Sequence, residues 1–283
     1  MTQKFTLTLS CPQRPGIVHA VSSFLFSRHC DIAEHQQFDD TGSQAFFLRT
    51  TFVGADDTLD VAQLTEQFAS VAAGFGMNFR FDGTVEPRVI VMVSKMGHCL
   101  NDLIFRWRAG TLGGELVAVV SNHEVLRPMA EAAGLPFVHI PVTPGTKPEA
   151  EAQLLALVDE LDADLVVLAR YMQVLSDDAC QALEGRAINI HHSFLPGFKG
   201  AKPYHQAYDR GVKLVGATAH YVTPDLDEGP IIEQEVIRID HAYDPGRLAT
   251  VGQDAEALAL SRAVRWHCEN RVLLHGRRTV VFS

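Results

Sequence analysis

Polar side chains that could act on a carbonyl group follow an apolar strand in the second half of the chain. In "AINIHHSFLPGFKG", which begins at Ala187, Asn189, His191 and His192 stand at the end of the apolar run. Alternation along a strand places Asn189 and His191 on one face and His192 on the other. An amide N–H and an imidazole N–H that point to one spot can stabilise an oxygen that becomes negative when a carbonyl is attacked. The spacing is therefore compatible with an oxyanion site.

Such chemistry also needs a group that transfers protons, and a carboxylate is a suitable one. The segment "TPDLDEGP" follows an apolar strand over Leu214–Val222, which contains His220, and supplies Asp225, Asp227 and Glu228. Without further context, a strand-end Asn or His can be structural, and "PDLDEG" can be an acidic turn, although it lacks the spacing of a calcium loop. Neighbouring His residues on opposite faces chelate a metal poorly. These residues alone leave a catalytic and a structural interpretation open.

The strands that would position these side chains have nearly continuous apolar runs. From Arg88 onward, "VIVMVS", "LVAVVS", "FVHIPV", "LVVLAR" and "AINIHHS" are separated by helical stretches of about 10–15 residues. Strands of this kind are buried on both faces, which predicts a Rossmann-like α/β domain with a mostly parallel sheet. Ligands bind such sheets at the carboxyl ends of the strands, where Asn189 and His191 stand. The sequence contains neither G-x-G-x-x-G nor a P-loop motif, so no nucleotide is expected.

The first 85 residues have a different pattern. The strand "KFTLTLSC", a helix from Ile17 to Arg28, two strands around Thr41-Gly42, a helix from Val61 to Phe75 and the strand "NFRFDG" follow one another. The order βαββαβ predicts a ferredoxin-like domain. Gly, Pro and charged residues in "DGTVEPR" mark a boundary, so we predict domains of residues 1–85 and 86–283. Near the C-terminus we expect a helix over Asp254–Leu274.

Composition excludes several classes of protein. The net charge of −10 argues against nucleic-acid binding, which depends on clustered Lys and Arg. The apolar runs are far shorter than the ~18–20 residues of a membrane span, and the alternating N-terminus does not resemble a signal peptide. Five scattered Cys residues have no zinc or disulfide spacing. We therefore expect a cytoplasmic protein with no nucleic-acid or membrane partner.

The motifs resemble a known enzyme family. "INIHHSFLPGFKG", followed by the Asp of "TPDLDEGPII", is similar to the signature of formyltransferases that use 10-formyltetrahydrofolate. "LARYMQVLS" resembles the folate-pocket segment of that family, and "GATAHYV" resembles the strand before its catalytic Asp. Residues 1–85 look like an ACT domain, a regulatory module that binds small molecules. "SKMGHCLNDLIFRWRAG" and "HHSFLPGFKGAKPYHQAY" narrow the resemblance to the formyltetrahydrofolate deformylase family.

The resemblance implies roles for individual residues. Asn189 and His191 would polarise the formyl carbonyl, and Asp227 would orient or deprotonate the attacking water. The implied substrate-binding residues are Arg170, Tyr171, Met172, Val174, Leu175, His220, Thr223 and Asp225. The folate is the substrate, and neither a cofactor nor a metal is implied.

Three functions can be weighed against these residues. Related transformylases hold the phosphate of glycinamide ribonucleotide in a Gly/Ser-rich loop after the first strand, whereas this chain has one Gly between Lys95 and Leu100. We therefore predict hydrolysis of 10-formyltetrahydrofolate to formate and tetrahydrofolate, and the formate would supply purine synthesis. Formyl transfer to an amine such as glycinamide ribonucleotide is the alternative. A non-catalytic amino-acid sensor is a third interpretation. The ACT resemblance implies a homo-oligomer, and the resemblance to the deformylase family implies glycine or methionine as the effector.

Overall fold

The computed structural model describes residues 3–54, 59–195 and 203–283, without the side chains of Pro203 and Tyr204. Backbone contacts divide the chain into two units. The first contains the residues up to Val85 together with 270–273 and 280–283, and the second contains 86–269 and 274–279. None of the helices in the described part of the chain is both long and apolar enough to cross a bilayer.

The first unit is an antiparallel sheet with two helices. Its elements are β1 (Lys4–Pro12), α1 (Ile17–Phe26), β2 (Asp31–Asp40), β3 (Ala45–Val53), α2 (Val61–Phe75) and β4 (Asn78–Asp82). The strand order is β2-β3-β1-β4, and every neighbouring pair is antiparallel. Phe5, Phe52 and Phe68 belong to one core shared by the strands and both helices. This confirms the predicted ferredoxin-like fold.

Polar contacts attach residues 270 and 271 to the first unit, whereas the sequence prediction placed all of residues 86–283 in the second domain. Arg49, which is 4% exposed, donates from Nε to the carbonyl oxygen of Asn270 at 3.1 Å. Glu34 pairs with Arg49 Nη1 at 2.6 Å and with Arg271 Nη1 at 3.4 Å. These long-range ion pairs have no local sequence pattern.

The second unit alternates strands and helices. Its elements are β5 (Arg88–Val93), α3 (His98–Arg108), β6 (Glu115–Ser121), α4 (Arg127–Ala132), β7 (Phe137–His139), α5 (Lys147–Glu160), β8 (Leu165–Leu168), α6 (Asp177–Ala182), β9 (Ala187–His191), α7 (Pro203–Asp209), β10 (Leu214–Tyr221), β11 (Ile231–Arg238) and α8 (Pro245–Cys268). A two-stranded hairpin of β12 (Val272–His275) and β13 (Arg278–Val281) follows.

The sheet of this unit has seven strands in the order β11-β10-β9-β8-β5-β6-β7. Strands β9, β8, β5, β6 and β7 are parallel, which confirms the predicted mostly parallel sheet. From β5 the chain first adds β6 and β7 on one side of the sheet and then adds β8, β9, β10 and β11 on the other side. Open sheets bind ligands at such a switch point. Strand β10 is antiparallel to both of its neighbours, so Tyr221 at its end pairs with Ile188.

The C-terminal helix begins and ends earlier in the chain than predicted. It was expected over Asp254–Leu274, but α8 runs from Pro245 to Cys268. The side chain of Asp244 caps the helix by accepting from the backbone N–H of Arg247 at 2.8 Å, and a proline at the first helical position suits that start. After the helix, Asn270 has a φ of 54°, a left-handed conformation that ends helical geometry.

Candidate active site

A cavity of about 250 Å³ lies where the segments after β8, β9 and β10 meet. Ten of the eleven residues predicted for the site line it: Arg170, Tyr171, Met172, Val174, Leu175, Asn189, His191, His220, Thr223 and Asp227. Asp225 does not line it. Its side chain is exposed, and its backbone carbonyl accepts from Thr223 Oγ1 at 3.1 Å and from the backbone N–H of Glu228 at 3.2 Å. Asp225 therefore shapes the turn that carries Asp227.

Asp227 and His191 form the charged centre of the cavity. His191 Nδ1 lies 3.2 Å from Asp227 Oδ1. The hydrogen bond from His191 lowers the pKa of Asp227 and outweighs burial, which acts in the opposite direction. Asp227 is therefore a carboxylate near neutral pH, as a proton acceptor must be. His191 Nε2 is buried and has no hydrogen-bond partner among the described residues, so this ring nitrogen remains for a reacting group.

His220 fixes the orientation of the Asn189 amide. Burial lowers the pKa of His220, so its ring is neutral near pH 7 and carries one N–H. The backbone carbonyl of Tyr221, 2.9 Å from His220 Nδ1, can only accept, which assigns the proton to Nδ1. His220 Nε2 must then accept, and Asn189 Nδ2 is its donor at 3.2 Å. The amide therefore turns its NH₂ group to His220 and retains a second N–H for a substrate oxygen.

The loop after β10 folds back over the sheet to bring Asp227 to His191. Because β10 is antiparallel to β9, its end lies beside Ala187, whose carbonyl accepts from Val222 N at 2.9 Å. Asp227 itself has a φ of 57°, which is rare for a residue other than glycine. Strained backbone of this kind clusters at functional sites. A Cβ at Gly229 would lie 1.8 Å from the carbonyl oxygen of Tyr221, so the return of the loop requires glycine.

The structure corrects the predicted position of His192. Alternation placed it on the face opposite to His191, but the two rings are 5.1 Å apart and both line the cavity. The reason is that β9 ends at His191, so the period of two does not extend further. Burial lowers the pKa of His192 to about 4, and the positive charges of Arg170 and His191 lower it further. His192 is thus a neutral part of the wall near pH 7.

A buried network that the sequence analysis missed holds the segment after β8. The backbone N–H of Met172 donates to Ser94 Oγ at 3.0 Å, and Ser94 Oγ donates to Asn122 Oδ1 at 2.7 Å. Ser94 and Asn122 follow β5 and β6 and are both buried. The polar residues that end "VIVMVS" and "LVAVVSN" could have indicated this network in the sequence. Met172 and Val174 leave 58% and 54% of their surface exposed at the cavity.

Arg170 lines the cavity and contacts Glu256, which in turn contacts His98. The sequence analysis did not select His98 or Glu256. Glu256, which is 1% exposed, accepts from His98 Nε2 at 2.8 Å and lies 3.3 Å from Arg170 Nε through the same oxygen. Ligand atoms of His98, Cys99 and Glu256 lie within 4.8 Å of one another. They suit a metal poorly, because Arg170 pairs with the carboxylate and burial raises the pKa of the Cys99 thiol well above its usual value. Residues 196–202 of the motif "HHSFLPGFKGAKPYHQAY" lie outside the described residues.

Comparison with known proteins agrees with this site. Residues 87–264 match the formyl transferase family. The chain is 54% identical to a formyltetrahydrofolate deformylase of Corynebacterium sp. (strain P-1), over 98% of each protein. Its structure is similar to that of a formyltetrahydrofolate deformylase from Burkholderia mallei ATCC 23344, with a TM-score of 0.94, 53% identity and coverage of 99% of this chain and 100% of that one.

A more distant similarity is limited to part of the chain. Glycinamide ribonucleotide transformylase 1 from Symbiobacterium toebii is 30% identical with a TM-score of 0.66, and the match covers 72% of this chain and 97% of the transformylase. The matches over nearly the whole chain are instead to deformylases. The chain therefore belongs to the formyltetrahydrofolate deformylase family.

Proposed function

We infer that the chain hydrolyses 10-formyltetrahydrofolate to formate and tetrahydrofolate. The observation that carries this inference is the convergence of Asn189, His191 and Asp227 in one cavity, in a chain 54% identical to a deformylase over nearly its full length. Transfer to an amine has weaker support, because the transformylase match covers only 72% of this chain. The supply of formate for purine synthesis remains a prediction.

The geometry supports a direct attack by water. The free N–H of Asn189 would hold the formyl oxygen, where negative charge develops as a tetrahedral intermediate forms. His191 would add a second donor from Nε2 in its doubly protonated form, since Nδ1 donates to Asp227. Asp227, kept ionised by His191, would orient the water and accept a proton from it. Collapse of the intermediate breaks the bond from carbon to N10, and the proton held by Asp227 passes to N10. The products are tetrahydrofolate and formic acid, which becomes formate when it releases its proton to solvent.

Residues around this centre would bind the rest of the folate. The segment from Arg170 to Leu175 lines the cavity and presents backbone groups held in place by Ser94. Tyr171 is largely buried, and burial raises the pKa of its hydroxyl to about 12, so it stays neutral. Thr223 lies on the opposite side, after β10. No cofactor or metal is needed, because the carboxylate of Asp227 can activate water without one.

The first unit supports a regulatory role. Helix α1 begins after Gly16 without a side-chain cap, so its first backbone N–H groups are open to a carboxylate such as that of glycine or methionine. Strand β2 lies at the edge of its sheet, and Ile32 and Phe38 on it are partly exposed. An edge of this kind can pair with a second copy of the chain, in line with a homo-oligomer. A cytoplasmic location is a further part of this proposal.

The inference is tested by incubating the purified protein with 10-formyltetrahydrofolate in the absence of any amine. We expect formate and tetrahydrofolate to form in equal amounts. Formation of tetrahydrofolate only after glycinamide ribonucleotide or another amine is added would show that the enzyme is a transferase.

A further inference from the structure

Hydrolysis changes the charge inside the cavity. The formyl group enters as a neutral amide, and its carbon leaves as formate, which carries a negative charge at neutral pH. That charge arises beside Asp227, which is already a carboxylate because His191 lowers its pKa. Two like charges a few ångströms apart in a partly buried site repel each other strongly. A cavity that makes formate therefore needs a positive charge within reach.

Arg170 is the one permanently charged cation among the described residues that line the cavity. The histidines His192 and His220 do not supply a charge near pH 7, because burial lowers the pKa of both. His191 is already paired through Nδ1 with the carboxylate of Asp227 at 3.2 Å, so it does not offset a second negative charge. Arg170 is the second residue after β8, and its positive charge lowers the pKa of His192, whose ring is 5.1 Å from that of His191. Arg170, His191 and His192 thus line the same cavity.

The guanidinium of Arg170 is buried but incompletely paired. Its side chain is 9% exposed, and its Nε lies 3.3 Å from Glu256 Oε2 without hydrogen-bond geometry. That oxygen is already bonded to His98 Nε2 at 2.8 Å. Among the described residues, Nη2 has a hydrogen-bond contact only with the sulfur of Met96 at 3.7 Å, and buried Nη1 has no hydrogen-bond partner. An arginine fork with unused donors matches the two oxygens of a carboxylate.

The backbone of Arg170 adds an independent observation. Its φ is 65°, a left-handed conformation that costs a residue with a Cβ about 1 kcal/mol or more. A glycine would adopt this φ without strain, so the side chain of Arg170 is retained at a cost. An ion pair with Glu256 alone would explain neither the left-handed φ of Arg170 nor its unpaired N–H groups.

We propose that Arg170 forms a small-carboxylate subsite in the cavity, which takes up formate as hydrolysis produces it. This proposal rests on the proposed function. Glu256 holds the Nε edge of the guanidinium and competes with formate for its charge, while the remaining N–H groups bind the product oxygens. Arg170 thereby offsets the repulsion between formate and Asp227 until the product leaves.

The test measures binding of ¹³C-labelled formate to the whole protein by NMR titration, without folate. Arg170→Met alone would leave Glu256 buried without its cation, so the decisive comparison is Arg170→Met/Glu256→Gln against Glu256→Gln. Arg106→Met in the Glu256→Gln background is the matched control, because Arg106 pairs with Asp102 on the surface of α3. Circular dichroism establishes that each variant is folded.

We expect Glu256→Gln to bind formate more tightly than the wild type, since a competing carboxylate is removed. Adding Arg170→Met should weaken binding about 10- to 100-fold, the usual range for a charge-assisted pair, and Arg106→Met should change it less than twofold. Equal affinity with and without Arg170, or no binding of formate to the wild type, would overturn the proposal. Hydrolysis is assayed separately, so a protein that releases formate from the folate but fails this comparison disproves the subsite and not the function.

Discussion

At the scale of single residues, the site depends on which side chains are charged. Asp227 is ionised because His191 donates to it, and His220 is neutral because it is buried. The neutral ring in turn determines which end of the Asn189 amide faces it at 3.2 Å. Each residue thus sets the protonation state or orientation of the next, so that a proton acceptor and an oxyanion donor face the same cavity.

Asp227→Asn should lower kcat by about 10²–10⁴-fold, because it removes the proton acceptor while Asn tolerates the left-handed φ of this position. Thermal unfolding should change little. Asp159→Asn, on the exposed face of α5, is the matched control and should retain normal turnover. Turnover near that of the wild type in folded Asp227→Asn protein would remove Asp227 from the mechanism.

His192 should make the fold less stable in acid. Its pKa falls from 6.5 to about 4 on folding, so between these values the unfolded chain binds the proton and the folded chain does not. Its contribution is complete above pH 6.5 and is lost as the pH falls toward 4. In His192→Gln, the decrease in unfolding free energy from about pH 7.5 to about pH 5 should be smaller by about 2 kcal/mol, measured with urea. An identical decrease in both proteins would contradict the burial of a neutral His192.

At the scale of elements, the return of the chain after β10 completes the site. Strand β10 is antiparallel to β9, so the loop must fold back to place Asp227 3.2 Å from His191. Gly229 allows this, because its Cα passes the carbonyl of Tyr221 where a Cβ would lie 1.8 Å from the oxygen. The position of the catalytic carboxylate therefore depends on one glycine outside the cavity wall.

Gly229→Ala should destabilise the second unit by about 3 kcal/mol or more and strongly reduce turnover, because the loop must shift away from β10. Gly145→Ala is the matched control, since a Cβ there meets nothing within 4 Å. Calorimetric unfolding and the rate of formate release measure both effects. Normal stability and turnover in Gly229→Ala would show that the loop position is not set by this contact.

The sequence predicted those parts of the fold that have a local pattern. Helix α2 has the predicted bounds, because Asp60 caps its start and Gly76 ends it in a left-handed conformation. The predicted site residues converge because β8 and β9 are adjacent parallel strands. The network of His98, Glu256 and Arg170 was not predicted, because it joins residues far apart in sequence. The position of the His192 side chain was predicted wrongly, because it depends on β9 ending at His191.

At the scale of the whole molecule, a hydrolase of 10-formyltetrahydrofolate would drain the one-carbon pool unless its activity responded to a signal. The first unit has the ferredoxin-like order expected of an ACT-type receiver. Its fold also includes residues 270–273 and 280–283 from the C-terminus. Removal of the N-terminal residues would therefore also remove the contacts of Arg49 with Asn270 and of Glu34 with Arg271, so regulation is best tested in the full chain.

Glycine and methionine should shift the activity of the full chain in opposite directions, because both report on one-carbon status. Binding is measured by calorimetry and the response by the rate of formate release. Glycinamide, which lacks the carboxylate, is the matched control and should have no effect, since the proposed contact is with open N–H groups at the start of α1. Binding of neither amino acid would leave the first unit with a purely structural role.

The central claim, that water bound beside Asp227 is the nucleophile, is tested most directly by running the reaction in ¹⁸O-labelled water. Without any amine, every formate formed should carry one solvent oxygen, and tetrahydrofolate should appear in equal amount. Formate that lacks the solvent label, or product that forms only when an amine is present, would contradict the account.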